Sequence, residues 1–160
     1  MPADLIQSHE PLPLLYLQAG IFIVLLLTAS IVDIHKRRIP NTICILIAVA
    51  GLIPFSPAHL LGILTALPLL LAALYNPVGM GGGDIKLTAA SGLVIGLPAG
   101  IFGLTTGLLS AILFYGAKKA WNFLRHIKHN ASSALPLAPF LSIGFITSLS
   151  IQLFLGGNAL

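Results

Sequence analysis

Apolar blocks follow one another along nearly the whole chain, separated by short stretches that carry its prolines, glycines and charges. Measured against a spanning length of about 20 apolar residues, they predict six helices. These run from about Leu14 to Ile34, Thr42 to Ile53, Ala58 to Tyr75, Ile85 to Leu97, Ala99 to Ala117 and Ala138 to Leu155. The first is entered through Pro11 and Pro13, the second stops at "PFSP" (54–57), and Pro68 predicts a kink in the third. The second and fourth are short for a full bilayer: either they sit inside the bundle or they extend a few residues past these bounds. The pattern is that of an all-α integral membrane protein with one membrane-embedded domain over residues 1–160.

The polar positions orient the bundle. Lys36, Arg37 and Arg38 follow the first helix, Lys86 the third, and Lys118, Lys119, Arg125 and Lys128 the fifth. With six crossings all eight cations fall on one side, which the positive-inside rule makes the cytoplasm, with both termini outside. A single long helix over residues 42–75 would put Lys86 opposite the first cluster, so the charges favour a hairpin at "PFSP". The first helix has Asp4 and Glu10 ahead of it and its cations behind it, the reverse of a cleavable signal. "KKAWNFLRHIKH" (118–129) mixes cations with Trp121, Phe123, Leu124 and Ile127 and is expected to lie along the cytoplasmic interface.

Composition narrows the class further. The chain is 57% hydrophobic and 8% charged, where a soluble domain carries about a quarter charged residues. The lipid bilayer is thus its surroundings, and its net charge of +4 belongs to one membrane face rather than to a nucleic-acid partner. The single cysteine, Cys44, forms no internal disulfide, no CxxC zinc module exists, and the five histidines form no metal-spaced cluster. No metal or other cofactor is expected, and Cys44 reads as a small packing residue.

The acids are more informative. Of four, Asp4 and Glu10 belong to the N-terminal tail; Asp33 and Asp84 lie at the cytoplasmic edge of the apolar core, where the first helix ends and the fourth begins. Two carboxyl groups a few ångström apart cannot both ionise cheaply, so they share a proton. One can then act as base on a water while the other donates to a substrate carbonyl, and the titration belongs to the pair. Such a pair hydrolyses a peptide bond without metal, thiol or activated serine.

"GMGGGDIKL" (79–87) places glycines directly before Asp84. They would let the backbone take positive φ and approach an extended substrate strand. Taken singly, each motif also has a plainer reading. "GGGD" is more often a loop whose Asp caps the next helix, and Asp33 beside "HKRR" more often a partner for those cations. A phosphate-cradling loop is disfavoured, because no G-K-[ST] follows and no strand precedes. Asn41, after Pro40, reads as the N-cap of the second helix.

Three stretches in order resemble the type IV prepilin peptidase family of membrane aspartic proteases, in its short form lacking a methyltransferase domain. "DIHKRRIPN" (Asp33 to Asn41) looks like the first catalytic aspartate followed by a basic stretch and I-P-N. "GMGGGDIKL" contains the G-x-G-D signature as Gly81, Gly83 and Asp84. "PLAPFLSIG" (Pro136 to Gly144) is similar to the proline-rich start of the last helix. The resemblance implies an endopeptidase that cuts the leader from prepilins or pseudopilins at the cytoplasmic face of the bacterial inner membrane, after a glycine preceding an apolar helix. It implies Asp33 and Asp84 as the catalytic pair and Gly81 and Gly83 as shapers of the substrate loop, with Lys86, Pro40 and Asn41 in support. Larger members methylate the new N-terminus through a domain with CxxC pairs; without those pairs, methylation is not expected here. The small size and the I-P-N variant point toward tight-adherence (Tad) pilus systems.

Presenilin-type G-x-G-D proteases carry their aspartates on consecutive helices and end in P-A-L, unlike this chain. Two readings of other classes stay open on the residues alone. One is a proton- or ion-coupled transporter, which more often places acids at the midplane between repeats. The other is a non-catalytic assembly protein of a pilus or secretion machine.

Overall fold

A computed structural model describes residues 12–53, 57–76, 81–125 and 136–157. The acidic tail, most of the "PFSP" bend, Gly79 and Met80, and the second part of the basic stretch from His126 lie outside the described residues. Every regular element among those described is helical: α1 (Leu12–Lys36), α2 (Asn41–Ala50), α3 (Pro57–Leu60), a 3₁₀ segment (Leu61–Ala66), α4 (Leu67–Tyr75), α5 (Gly82–Ile95), α6 (Leu97–Leu124) and α7 (Ala138–Gly157). Four stretches are long and apolar enough to cross a membrane: Pro13–Lys36, Pro57–Tyr75, Leu97–Leu124 and Ala138–Leu155. The protein is a multi-pass membrane protein.

The boundaries follow local chemistry. Pro13 stands in the first turn of α1, where a missing N–H costs nothing, and the helix closes on Arg37 in the left-handed region (φ 51°), whose N–H bonds back to the Asp33 carbonyl at 2.8 Å. Pro40, extended at ψ 137°, takes the N-cap of α2. Asn41, whose type suits that position, is instead the first helical residue, its side chain freed for another contact. Ahead of Pro68, where a kink is expected, the chain tightens into the 3₁₀ segment. Pro68 itself sits in the first turn of α4, where its ring meets no preceding α turn. Between α5 and α6 the chain turns on Gly96 alone, at φ +80°, a conformation that favours glycine. α6 runs past the expected end at Ala117. No breaker stands between Gly116 and Leu124, so Lys118 to Leu124 continue the helix, and Arg125 stacks on Trp121 at 4.5 Å.

α5 is the central helix. It packs against α2, the 3₁₀ segment, α6 and α7, and half of its residues are buried, Leu87, Thr88, Ser91 and Val94 among them. This resolves the question of its length: a helix of 14 residues, about 21 Å, is enclosed by its neighbours rather than left to bridge lipid alone. Phe22 and Leu26 of α1, Ile47 of α2, Leu87 of α5 and Leu141 and Phe145 of α7 form the fully buried centre. Large apolar side chains such as Val24, Ile31, Leu74, Ile112 and Phe154 point outward, as lipid-facing positions do.

Glycines set two close helix contacts. A Cβ on Gly62 or on Gly92 would collide with the other's backbone, so the 3₁₀ segment and α5 touch main chain to main chain. The α6–α7 contact is built likewise. A Cβ on Gly144 would strike the backbone of Gly103 and Gly107, and one on Gly107 would come within 3.0 Å of the Leu141 Cα. Small residues at such crossings are how helices gain contact where lipid removes the hydrophobic drive between them.

Candidate active site

The end of α1 and the beginnings of α5 and α7 meet at one end of the bundle. There a pocket of about 230 Å³ is lined by Asp33, Arg37, Arg38, Ile39, Gly81, Gly82, Gly83 and Asp84. The two acids singled out from the sequence thus share one concavity, and the two stretches carrying them form its walls.

Asp33 lies three residues before the end of α1, on its inward face, and is 6% exposed. Its Oδ2 accepts a hydrogen bond at 3.1 Å from the backbone N–H of Ala138, the first residue of α7. The motif from Pro136 to Gly144, to which sequence reasoning could attach no role, therefore delivers a main-chain donor to the first aspartate.

Asp84 stands in the first turn of α5, where the unpaired N–H groups of a helix favour a negative charge. It is not the cap; Gly81 holds that position and makes no side-chain bond. The Asp84 Oδ1 is buried and has no hydrogen-bond partner among the described residues. The two carboxyl groups thus differ: Asp33 accepts a bond from the frame, while the Asp84 Oδ1 has no partner among the described residues.

The glycines act here by size rather than by conformation. Gly81 has φ −75° and Gly82 and Gly83 belong to α5, so the positive φ expected of this stretch is absent among its described residues. A Cβ at Gly81 would stand 3.0 Å from the Asp84 Oδ2, and one at Gly83 would stand 3.1 Å from the Ile39 Cβ. Gly81 leaves room for the carboxylate; Gly83 lets the α1–α2 link close over the start of α5. A side chain at Gly82 would meet nothing within 4 Å.

The supporting residues find places around this closure. Ile39 packs on Gly83, Pro40 caps α2, and the Lys86 ammonium donates to the Asn41 side-chain oxygen at 3.0 Å, tying α2 to α5. Lys86 and Asn41 do not line the pocket. Arg37, Arg38 and Ile39 do, and none was picked out from the sequence. Their signal was adjacency to Asp33, read there only as a charge cluster.

Two carboxyl groups facing one pocket, one of them fixed and both at a helix end, can share a proton and activate a water between them. A search of curated proteins and of solved structures finds no significant match to the chain. A family model described as the type IV leader peptidase family does match, over residues 20–117, which include Asp33, the glycine stretch and Asp84. The chain is a peptidase, and it belongs to the type IV leader peptidase family.

Proposed function

We propose that this protein is an aspartic endopeptidase that removes the leader of type IV prepilins or pseudopilins at the cytoplasmic face of the bacterial inner membrane. The observation that carries the reading is the shared pocket: Asp33 from α1 and Asp84 from α5 line the same 230 Å³. One carboxylate takes a proton from water while the oxygen adds to the peptide carbonyl carbon. The partner gives its proton to the carbonyl oxygen. As the C–N bond breaks, the nitrogen takes the proton that the first carboxyl took from water and one hydroxyl of the diol returns a proton to the partner, leaving a carboxylic acid, an amine and the pair as it began. Gly81 and Gly83 keep the wall beside Asp84 low enough for a peptide backbone, while Pro40, Asn41 and Lys86 hold that wall in place. The basic residues around the pocket oppose a basic leader, so recognition rests on the substrate's apolar helix. Six crossings with both termini outside bring the pocket to the cytoplasmic side.

The test is cleavage of co-expressed prepilins by wild type, Asp33→Asn and Asp84→Asn, with product masses. Wild type is expected to cut after a glycine that precedes the apolar helix. Each variant is expected to lose cleavage while reaching wild-type levels in the membrane. Cleavage surviving in both variants would refute the aspartate pair. A wild type that cuts no prepilin would move the transporter and assembly readings ahead. A pair that shares one proton further gives a pH–rate profile with two limbs; a single-limbed profile would count against it.

A further inference from the structure

Resting on the reading of Asp33 and Asp84 as the reacting pair, we infer that α7 is part of the catalytic apparatus: the backbone N–H of Ala138 is a positioning group that holds the Asp33 carboxylate in place for Asp84. The matched family region ends at residue 117, so this role for α7 comes from the geometry alone.

The bond joins two groups that need each other. Asp33 is more than nine-tenths buried and Ala138 is fully buried, so the Ala138 amide has no ready access to water, and the Asp33 Oδ2 is the acceptor within its reach. The first N–H groups of a helix have no acceptor within it. In α7 the Phe140 and Leu141 amides already use the Leu137 carbonyl, and Pro139 has no amide hydrogen. The Ala138 amide is thus the donor at the head of the helix, and it donates to the Asp33 Oδ2.

The donor's own position is fixed from three directions. One turn further along the α1–α7 seam, the Ser30 and Ser142 hydroxyls stand 2.8 Å apart and both reach the Leu26 carbonyl, at 2.9 and 3.1 Å. On the other flank the Tyr115 hydroxyl donates to the Pro136 carbonyl at 3.4 Å. Below, the glycine contacts with α6 allow no slippage without a steric clash. A frame this constrained, ending in one buried amide aimed at one carboxylate, determines where that carboxylate sits. Asp84, whose Oδ1 has no partner among the described residues, is then the member that adjusts when a substrate arrives.

Proline and valine at position 138 are similar in bulk, and both can occupy a helix start, but only valine keeps the N–H. The experiment measures steady-state cleavage of a prepilin by the purified full chain carrying Ala138→Pro or Ala138→Val. The valine variant is expected to exceed the proline variant in kcat by roughly tenfold to a hundredfold, the worth of one hydrogen bond to a charged group, with KM the same in both. Equal kcat values, or a difference confined to KM, would overturn the inference. If Ala138→Pro does not accumulate, the double variant Ser30→Ala with Ser142→Ala decides instead. It releases the seam and leaves Asp33 and Ala138 intact, so a loss in kcat supports the positioning role and wild-type kcat refutes it. A wild type that cuts no prepilin would instead overturn the functional reading itself, and this inference with it.

Discussion

Three adjacent glycines make the sharpest test at the scale of single residues. Gly81→Ala would press on the Asp84 carboxylate and Gly83→Ala on Ile39, so both should lower kcat severalfold or more while the protein still inserts. Gly82→Ala meets open space at the first position of α5. It should leave cleavage intact and raise thermal stability by less than the roughly 0.5–1 kcal/mol that alanine gains over glycine in the middle of a helix. Measuring all three for activity and melting temperature separates size from flexibility. If flexibility were what the stretch supplies, Gly82→Ala would damage cleavage as much as its neighbours do. The sequence made Asp33 and Asp84 legible because acids are rare in an apolar chain and these two share a depth. It hid what the glycines do, because close approach depends on which residue of a distant segment faces each one. Ile39 opposite Gly83 could be found only once the link between α1 and α2 was seen to close over α5. Asn41 misled for a related reason: its type suits a cap, but the proline before it already occupied that position.

Among the elements, α5 is the unusual one. Hydroxyls on other helices find an acceptor, either on their own backbone, as Thr28 does at Val24, Thr106 at Phe102 and Ser150 at Ile146, or on a neighbouring helix, as Ser148 does at Ala99. Thr88 and Ser91 do not; both are fully buried with no hydrogen-bond partner among the described residues, as is Thr65 on the 3₁₀ segment beside them. An unsatisfied buried hydroxyl costs about 1–3 kcal/mol. Thr88→Val, which keeps the shape and removes the hydroxyl, should therefore raise the melting temperature of the detergent-solubilised protein. A fall instead would mean that the hydroxyl is bonded after all. The α6–α7 contact predicts the opposite sign. Gly144→Ala forces two backbones apart and should cost about 1–3 kcal/mol, the usual penalty of overpacking. Helix existence was readable from apolar length alone. The 3₁₀ stretch and the extension of α6 were not, since both depend on packing and on the absence of a breaker rather than on hydropathy.

For the whole molecule, the packing bears on the charge map at one point: the end of α1 and the starts of α5 and α7 lie together, which puts Arg37, Arg38 and the start of α5 that carries Lys86 at one end of the bundle. The orientation of that end is testable by impermeant thiol labelling of intact cells, with Cys44 replaced. Cysteines at Arg38 and Lys119 should be labelled only after the membrane is opened, and one at Ser56 without it. Labelling of all three from outside would reject the six-crossing topology.

The contact that α7 makes with Asp33 carries a different consequence. Its donor belongs to the main chain, which every residue type except proline provides in the same place. The identity of residue 138 is then free to drift over generations, within the room its buried site allows, and comparison of side chains would pass over it. In such a site the chemistry is written partly in the path of the backbone, and a designer moving this pocket to another scaffold would have to carry the helix and not merely the aspartates.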